Sequence, residues 1–148
     1  MSDALNTALK LSLLDWSEAE ALALPLREQV FVVEQGVPLE MERDEFDPVC
    51  RHAVLREADG RVVATGRLLP DGHIGRMAVA ADWRGQGLGG RVLEALVAEA
   101  VRQGFAATVL NAQVQAEPFY ARHGFIAEGE MFMEAGIPHR AMRRQLGN

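Results

Sequence analysis

One cysteine, Cys50, is all the sulfur chemistry that the 148 residues carry. An internal disulfide is thereby excluded, and a thiolate-rich zinc site has too few sulfurs. No metal is expected. Long apolar runs are missing too: no stretch of about 18 residues is free of polar side chains, which leaves no sequence for a membrane-spanning helix. The opening Met1-Ser2-Asp3-Ala4-Leu5-Asn6 lacks the basic flank and apolar run of a secretory leader. A cytoplasmic protein without a membrane partner is expected. Positive charge is scarce, 15 Lys and Arg against 21 Asp and Glu, a net −6. A field of that sign repels nucleic-acid phosphates, so no nucleic-acid partner is expected. The cations are mostly arginine, which grips phosphate with two hydrogen bonds where lysine offers a point charge. A small phosphate-bearing ligand is therefore compatible with the acidic total.

What is present suffices for one core. Hydrophobic residues make up 49% of the chain, and the length suits a single domain over residues 1–148. Residues 8–14 read as a strand. Ser17 is a candidate helix N-cap with Glu18 and Glu20 behind it, and Pro25 is expected to break that helix. A second helical stretch runs from Leu26 to Gln35, with Leu26, Val30 and Val33 on one face and Gly36 as its stop. Between Pro38 and Pro48 the acidic run Glu40-Met41-Glu42-Arg43-Asp44-Glu45-Phe46-Asp47 reads as irregular and too polar for the core. Strand-like runs follow at 52–57, 61–69 and 74–80. The turn signals Asp59-Gly60 and Asp71-Gly72 between them imply an antiparallel meander.

The period then changes. Leu88, Val92, Leu96 and Ala100, with Ala95, form an apolar stripe that ends at Gly104 and marks the strongest helix. A strand at 105–111, a short helix around Glu117 to His123, and strands from Phe125 and over 140–146 complete the order. The unit spanning 74–111 suggests a parallel strand pair. The fold class is α+β, or mixed α/β.

Arg84-Gly85-Gln86-Gly87-Leu88-Gly89-Gly90 lies between a strand and that helix. Unpaired backbone N–H groups and the positive end of the helix dipole converge there, which makes an anion site. A tight turn needing glycine for geometry alone is the competing explanation. The same letters fit two phosphate motifs. Gly85-x-Gly87-x-x-Gly90 matches a dinucleotide fingerprint, but that fold needs its loop after the first strand and an acid at the end of the next one. Here about 80 residues come first, and the next strand ends on Asn111. Arg84-x-x-Gly87-x-Gly89 matches the pattern of coenzyme A acyltransferases.

Downstream, Glu117-Pro118-Phe119-Tyr120-Ala121-Arg122-His123-Gly124-Phe125 puts an aromatic pair on a short helix between a Pro start and a Gly stop. By itself this reads as core packing. In this order and spacing, however, the two motifs resemble the GNAT superfamily of acyl-CoA N-acyltransferases over nearly the whole chain. Arg27-x-x-x-Phe31-Val32-Val33-Glu34-Gln35, Asp44-x-x-Asp47, Ala64-Thr65-Gly66-Arg67-Leu68 and Gly136-Ile137-Pro138-His139-Arg140 look like the small bacterial ElaA-like branch. The resemblance implies a GNAT-type fold, a splayed and mostly antiparallel sheet flanked by helices, with acetyl-CoA or another acyl-CoA inserted where the strands at 74–80 and 105–111 part. The backbone of Met77, Ala78 and Val79 would hold the pantetheine arm. Arg84, Gly85, Gln86, Gly87, Leu88 and Gly89 would wrap the pyrophosphate, with Phe119 beside them. Gln113 stands where many relatives carry Asn, and its amide can make the same kinds of bond.

Tyr120 matches the family's tyrosine, whose phenol would give a hydrogen bond or proton to the departing thiolate. Transfer of the acyl group to an amine also requires that the amine lose a proton. Glu34, Glu134 and His139 are the candidates, His139 first because imidazole as a type titrates nearest neutrality. Phe31, Glu34, Arg67 and Asn111 would meet the acceptor, with Arg67 either binding a carboxylate or orienting the 40–47 loop. Cys50 would serve only a covalent route. The partner expected is a small-molecule or peptide amine, and a homodimer stays open. A noncatalytic acyl-CoA-binding module is the rival from another class.

Overall fold

The computed structural model describes residues 8–147; the opening segment from Met1 to Asn6, read for a leader, lies outside them. The first strand, β1 (Lys10–Leu14), runs into helix α1 (Trp16–Arg27). Asp15, not Ser17, starts this helix: its carbonyl accepts the N–H groups of Glu18 and Ala19 at 3.0 and 2.9 Å, while its carboxylate turns away to Arg51 at 2.7 Å. Pro25 sits inside α1 without ending it. Proline removes only its own N–H, and the neighbouring bonds re-form around the gap. The chain continues as a widened, π-helical turn over Glu28–Glu34. Each residue added to a turn rotates the succeeding side chains by about 100°. Leu26 and Val30 thus remain buried while Val33, expected on their face, is 65% exposed.

A larger correction concerns the acidic run. It folds into the single turn α2 (Leu39–Glu42) and a second turn at Asp47–Val49, and both Glu42 and Asp47 are 2% exposed. They are core residues because buried arginines meet them.

Strands β2 (Arg51–Arg56), β3 (Val62–Leu68) and β4 (Ile74–Val79) form the expected meander, in a four-stranded antiparallel sheet of order β1-β2-β3-β4. Both Asp-Gly turns behave as their chemistry dictates. Asp59 and Asp71 each accept the N–H two residues on, at 3.0 Å, and the glycines take the positive φ that a side chain resists (Gly60 +97°, Gly72 +94°). Strands β2 and β3 are buried residue after residue, which requires cover on both faces; α1 and α3 (Leu88–Arg102) pack against them. On α3 the buried stripe is Leu88, Val92, Leu96 and Ala100 joined by Leu93 and Val97, with Ala95 half-buried.

The second sheet holds β5 (Ala107–Gln113), β7 (Ile137–Gln145) and β6 (Ile126–Glu134) in that order, with the short helix α4 (Glu117–Arg122) between β5 and β6. The β6–β7 turn, Ala135-Gly136, has φ of +52° and +75°. This is the primed geometry that matches strand twist, so β7 begins at Ile137 instead of Arg140 and His139 lies within the strand.

The two sheets touch at one point. His73 bridges Val109 in parallel, Val109 N–H donates to the Gly72 carbonyl at 3.3 Å, and from there β4 and β5 diverge. The expected parallel pair is reduced to this bridge. Three residues along, β4 bulges: its register on β3 shifts between Thr65 and Arg67, and Arg76 holds φ +51°, costly for a side-chain-bearing residue. A bulge bends its strand, here away from β5. Gly66 lies opposite. A Cβ there would stand 2.7 Å from Met77 Sδ and 2.9 Å from Leu96 Cδ1. Gly66→Ala is therefore expected to destabilise by about 1–3 kcal/mol through overpacking, read as a lower urea midpoint; an unchanged midpoint would mean that the bulge yields freely. Among the described residues no helix is long and apolar enough to cross a membrane.

Candidate active site

Two hollows lie along the split. The first, of about 640 Å³, surrounds the glycine loop and is lined by Val79, Arg84, Gly85, Gly87 to Arg91, Phe119, Arg122 and His123, among others. Its charged lining residues are Arg84, Arg91, Arg122 and His123, while Glu34 meets Arg84 and Glu94 meets His123 from just outside, each at 2.7 Å. Gly87 caps α3 in the left-handed region at φ +82°, with no side chain capping the helix. The first-turn N–H groups of Leu88, Gly89 and Gly90 are thus of the kind that a helix leaves without an internal acceptor. A Cβ built on Gly85 or Gly87 would meet nothing within 4 Å; glycine is required there by φ (+81° and +82°), and the space beside it is open. Gly89 packs against Phe119, 3.5 Å from a built Cβ. The ring therefore floors this hollow while packing against the edge of the core. Arg84 donates to the Val79 carbonyl at 3.0 Å and to Glu34 at 2.7 Å. Such an environment fits a pyrophosphate: convergent donors, positive lining and no obstructing side chain.

Backbone polarity along β4 continues the path. Ala80 donates to Val63 of β3 at 2.8 Å. Paired residues alternate in an antiparallel ladder between facing the neighbour and facing away. Ala78, opposite Thr65, by this alternation directs its backbone groups at β3. Val79 alternates with it and faces away from β3, its carbonyl accepting from Arg84 Nε at 3.0 Å, and Met77 falls in the bulge between the paired residues Gly75 and Ala78.

The second hollow, a cavity of about 700 Å³, opens between the sheets. It gathers Phe31, Arg67, Met77, Asn111, Gln113, Tyr120, Glu134 and His139, all singled out from the sequence. Glu34 is not among them; it faces Arg84 instead. The hollows adjoin, since Val79 and Phe119 border the first while Met77 and Tyr120 border the second. The Phe119 and Tyr120 rings stand edge-on at 5.0 Å. Burial pushes the Tyr120 phenol up to about 12, so it stays protonated and available as a donor. Its hydroxyl makes no hydrogen bond among the described residues.

Across the cavity, His139 is buried, stacked on Phe132 with ring centroids 6.0 Å apart. Its Nδ1 lies 2.7 Å from the Ile137 carbonyl. A carbonyl only accepts, so Nδ1 carries a proton and donates. Nε2 looks toward the Glu134 carboxylate at 3.7 Å, which Asn111 Nδ2 approaches at 3.4 Å. Gln113 is bonded to Gln35 at 2.9 Å and to Gln115 at 2.6 Å.

The cavity wall rests on a buried ionic network. Arg27 bonds Glu42 at 2.7 Å and both oxygens of Asp47 at 2.9 and 3.0 Å. Arg67 bonds Asp47 at 2.7 Å and Asp44 at 2.8 and 2.6 Å. Arg76 closes on Asp44 at 3.2 Å and on the Met41 and Glu42 carbonyls. Of the two roles expected for Arg67, orienting the 40–47 loop is the one its nitrogens perform. Arg76, Met41 and Phe46 also line the cavity, and sequence reasoning missed them. Met41 and Phe46 carry a signal, being apolar residues inside an acidic run; Arg76 carries none, because its position depends on the bulge. Cys50 is buried, with burial raising its thiol to about 11, and it is not part of the cavity lining.

A split sheet, an anion-receptive loop at the split and a tyrosine facing the adjoining cavity define an acyl-CoA transferase, and comparison with known proteins agrees. The sequence pattern of the acetyltransferase (GNAT) domain matches residues 15–146. The chain belongs to the GNAT family and is an acyl-CoA-dependent N-acyltransferase. It is 38% identical over 125 residues to the uncharacterized N-acetyltransferase YjcF of Bacillus subtilis, covering 82% of this chain and 89% of that one. With the UPF0039 protein C11D3.02c of Schizosaccharomyces pombe it shares 41% over 129 residues, 82% and 84% of the two chains. Among solved structures, an acyl-CoA N-acyltransferase from Pseudomonas aeruginosa superposes with a TM-score of 0.83 at 34% identity, covering 92% and 99%. Escherichia coli ElaA gives 0.83 at 30%, with the same coverage.

Proposed function

We propose that the chain, as a single domain, transfers an acyl group from acyl-CoA directly to a small-molecule or peptide amine held in the same cleft. The observation that carries this is the path along β4 and α4, from an open, arginine-lined glycine loop at one end to Tyr120 and His139 at the other. The loop from Arg84 to Gly89 would hold the pyrophosphate, with Phe119 beside it. The backbone of Met77 and Val79 would hold the pantetheine arm, and Gln113 would reach it once released from Gln35. When bound, the thioester supplies an acyl carbon activated for attack and a thiolate leaving group.

The protein's own groups then manage two protons. His139 Nε2 takes one from the acceptor ammonium, with Glu134 stabilising the imidazolium across 3.7 Å. As the tetrahedral adduct collapses, Tyr120 gives its proton to the departing sulfur, and the second proton shed by the new amide nitrogen restores the phenol, so that one net proton leaves through His139. Direct attack is favoured because Cys50 is a buried, protonated thiol away from the cavity. Use of acyl-CoA places the enzyme in the cytoplasm in this reading.

The test is a thermal-shift series. Coenzyme A at 100 times its dissociation constant should add about 2.7 kcal/mol, or roughly 5–11 °C for a domain of this size, and NAD should add nothing. Gly87→Val should lose the coenzyme A shift, because valine resists the left-handed conformation and projects into the hollow. A shift retained in a folded Gly87→Val variant, or a response to NAD alone, would move the phosphate site elsewhere.

A further inference from the structure

Resting on the transferase reading, we infer that the acceptor is a primary amine on an apolar alkyl or aryl body that bears no carboxylate or phosphate of its own. The cleft is electrically polarised. Around the loop, Arg84, Arg91, Arg122 and His123 are the charged lining residues, with Glu34 on Arg84 and Glu94 on His123 as carboxylate partners set behind them. The cavity is different. Its two guanidiniums, Arg67 and Arg76, are engaged by Asp44, Asp47 and backbone carbonyls, in a network of three arginines and three acids that is neutral as a whole. The exposed carboxylates Glu134 and Asp71 remain, each beside a histidine.

A substrate ammonium is drawn to that end of the cleft. A substrate carboxylate would lose its hydration there and find guanidiniums whose charge is already matched by Asp44 and Asp47; Arg67 Nε has no hydrogen-bond partner but is buried out of reach. The same field thus sorts the two substrates, the phosphates of one toward the loop and the ammonium of the other toward His139.

The apolar body is inferred from Met41 and Phe46. They are 51% and 44% exposed, yet both belong to the cavity wall, facing Phe31, Leu69 and Ile74. Exposed apolar side chains on an irregular segment would ordinarily collapse or wander. Here their sequence neighbours Glu42, Asp44 and Asp47 are pinned to arginines, so the wall is held open in advance. A preorganised apolar surface beside an ammonium-attracting carboxylate selects an amphipathic amine.

Matched pairs in a thiol-release assay with acetyl-CoA test this directly: 2-phenylethylamine against phenylalanine, and pentylamine against 2-aminohexanoate and ethylamine. Each decarboxylated amine should exceed its amino acid in kcat/KM by at least about 100-fold, the scale set when a buried charge lacks a partner. Pentylamine should exceed ethylamine by about fourfold per methylene, and Phe46→Ser should collapse that chain-length ratio toward one. Amino acids used as well as their amines, or a ratio unchanged in Phe46→Ser, would overturn the inference while leaving the transferase reading intact. No thiol release with any of these compounds would also overturn the inference, while the transferase reading is tested separately by the coenzyme A shift.

Discussion

Replacing Tyr120 with phenylalanine is expected to lower kcat by roughly 100- to 10,000-fold, the usual contribution of a positioned acid, while acetyl-CoA binding barely changes. The ring stays. Its edge-on contacts with Phe119 at 5.0 Å and Phe125 at 6.1 Å do not involve the hydroxyl, and the hydroxyl bonds no described residue whose loss would confound the result. A group that acts only on the leaving sulfur is felt in the transition state, so kcat and kcat/KM should fall together. Because burial raises the phenol to about 12, the tyrosine does not ionise below about pH 10. Any loss of wild-type activity at moderately alkaline pH must then come from another group. A folded Tyr120→Phe enzyme with full kcat would show that the thiolate takes its proton from solvent, and Tyr120 would be reduced to a wall of the cavity.

Features written in local chemistry are legible in the sequence, and features that depend on distant partners are not. The Asp-Gly turns, the α3 stripe and the glycine loop each need only a few neighbouring residues to specify them. Tyr120, His139 and Asn111 come together in one cavity only through resemblance to a family, since they lie on three elements that meet only in the fold. The acidic run misleads for a physical reason. A window of Glu and Asp reads as solvated unless cations are known to face it, and Arg27, Arg67 and Arg76 arrive from α1, β3 and β4. Val33 departs from its expected face because one widened turn rotates the helix. Glu34 lies close in sequence to Phe31, which suggests the acceptor side, yet the same widened turn aims it at Arg84.

Asp47→Asn should be among the costliest single changes in the chain, about 3–5 kcal/mol or roughly 6–20 °C in Tm. The substitution keeps the shape and removes the charge that faces Arg27 and Arg67, both nearly inaccessible to solvent. Two buried guanidiniums would be left with one unit of compensation too few, and breaking such a network costs far more than never building it. The wild-type pH dependence should carry the same signature. Hydrogen bonding from Arg67 holds Asp44 down to about 2. For Asp47, burial works in the opposite direction, but bonds from Arg27 and Arg67 outweigh it and the carboxyl remains below its ordinary value. Folded-state values below the unfolded ones mean that the stabilisation is fully present above about pH 4 and is lost as the pH falls toward 2. Urea midpoints taken from pH 7 to pH 2.5 should therefore drop steeply below pH 4 in the wild type and less steeply in Asp47→Asn, which has already lost one of the titrating carboxyls. Since Met41 and Phe46 hang from this network, the variant should also raise KM for an apolar amine at temperatures where it remains folded. Parallel pH profiles and an unaltered KM would show that the arginines find other partners and that the wall does not depend on Asp47.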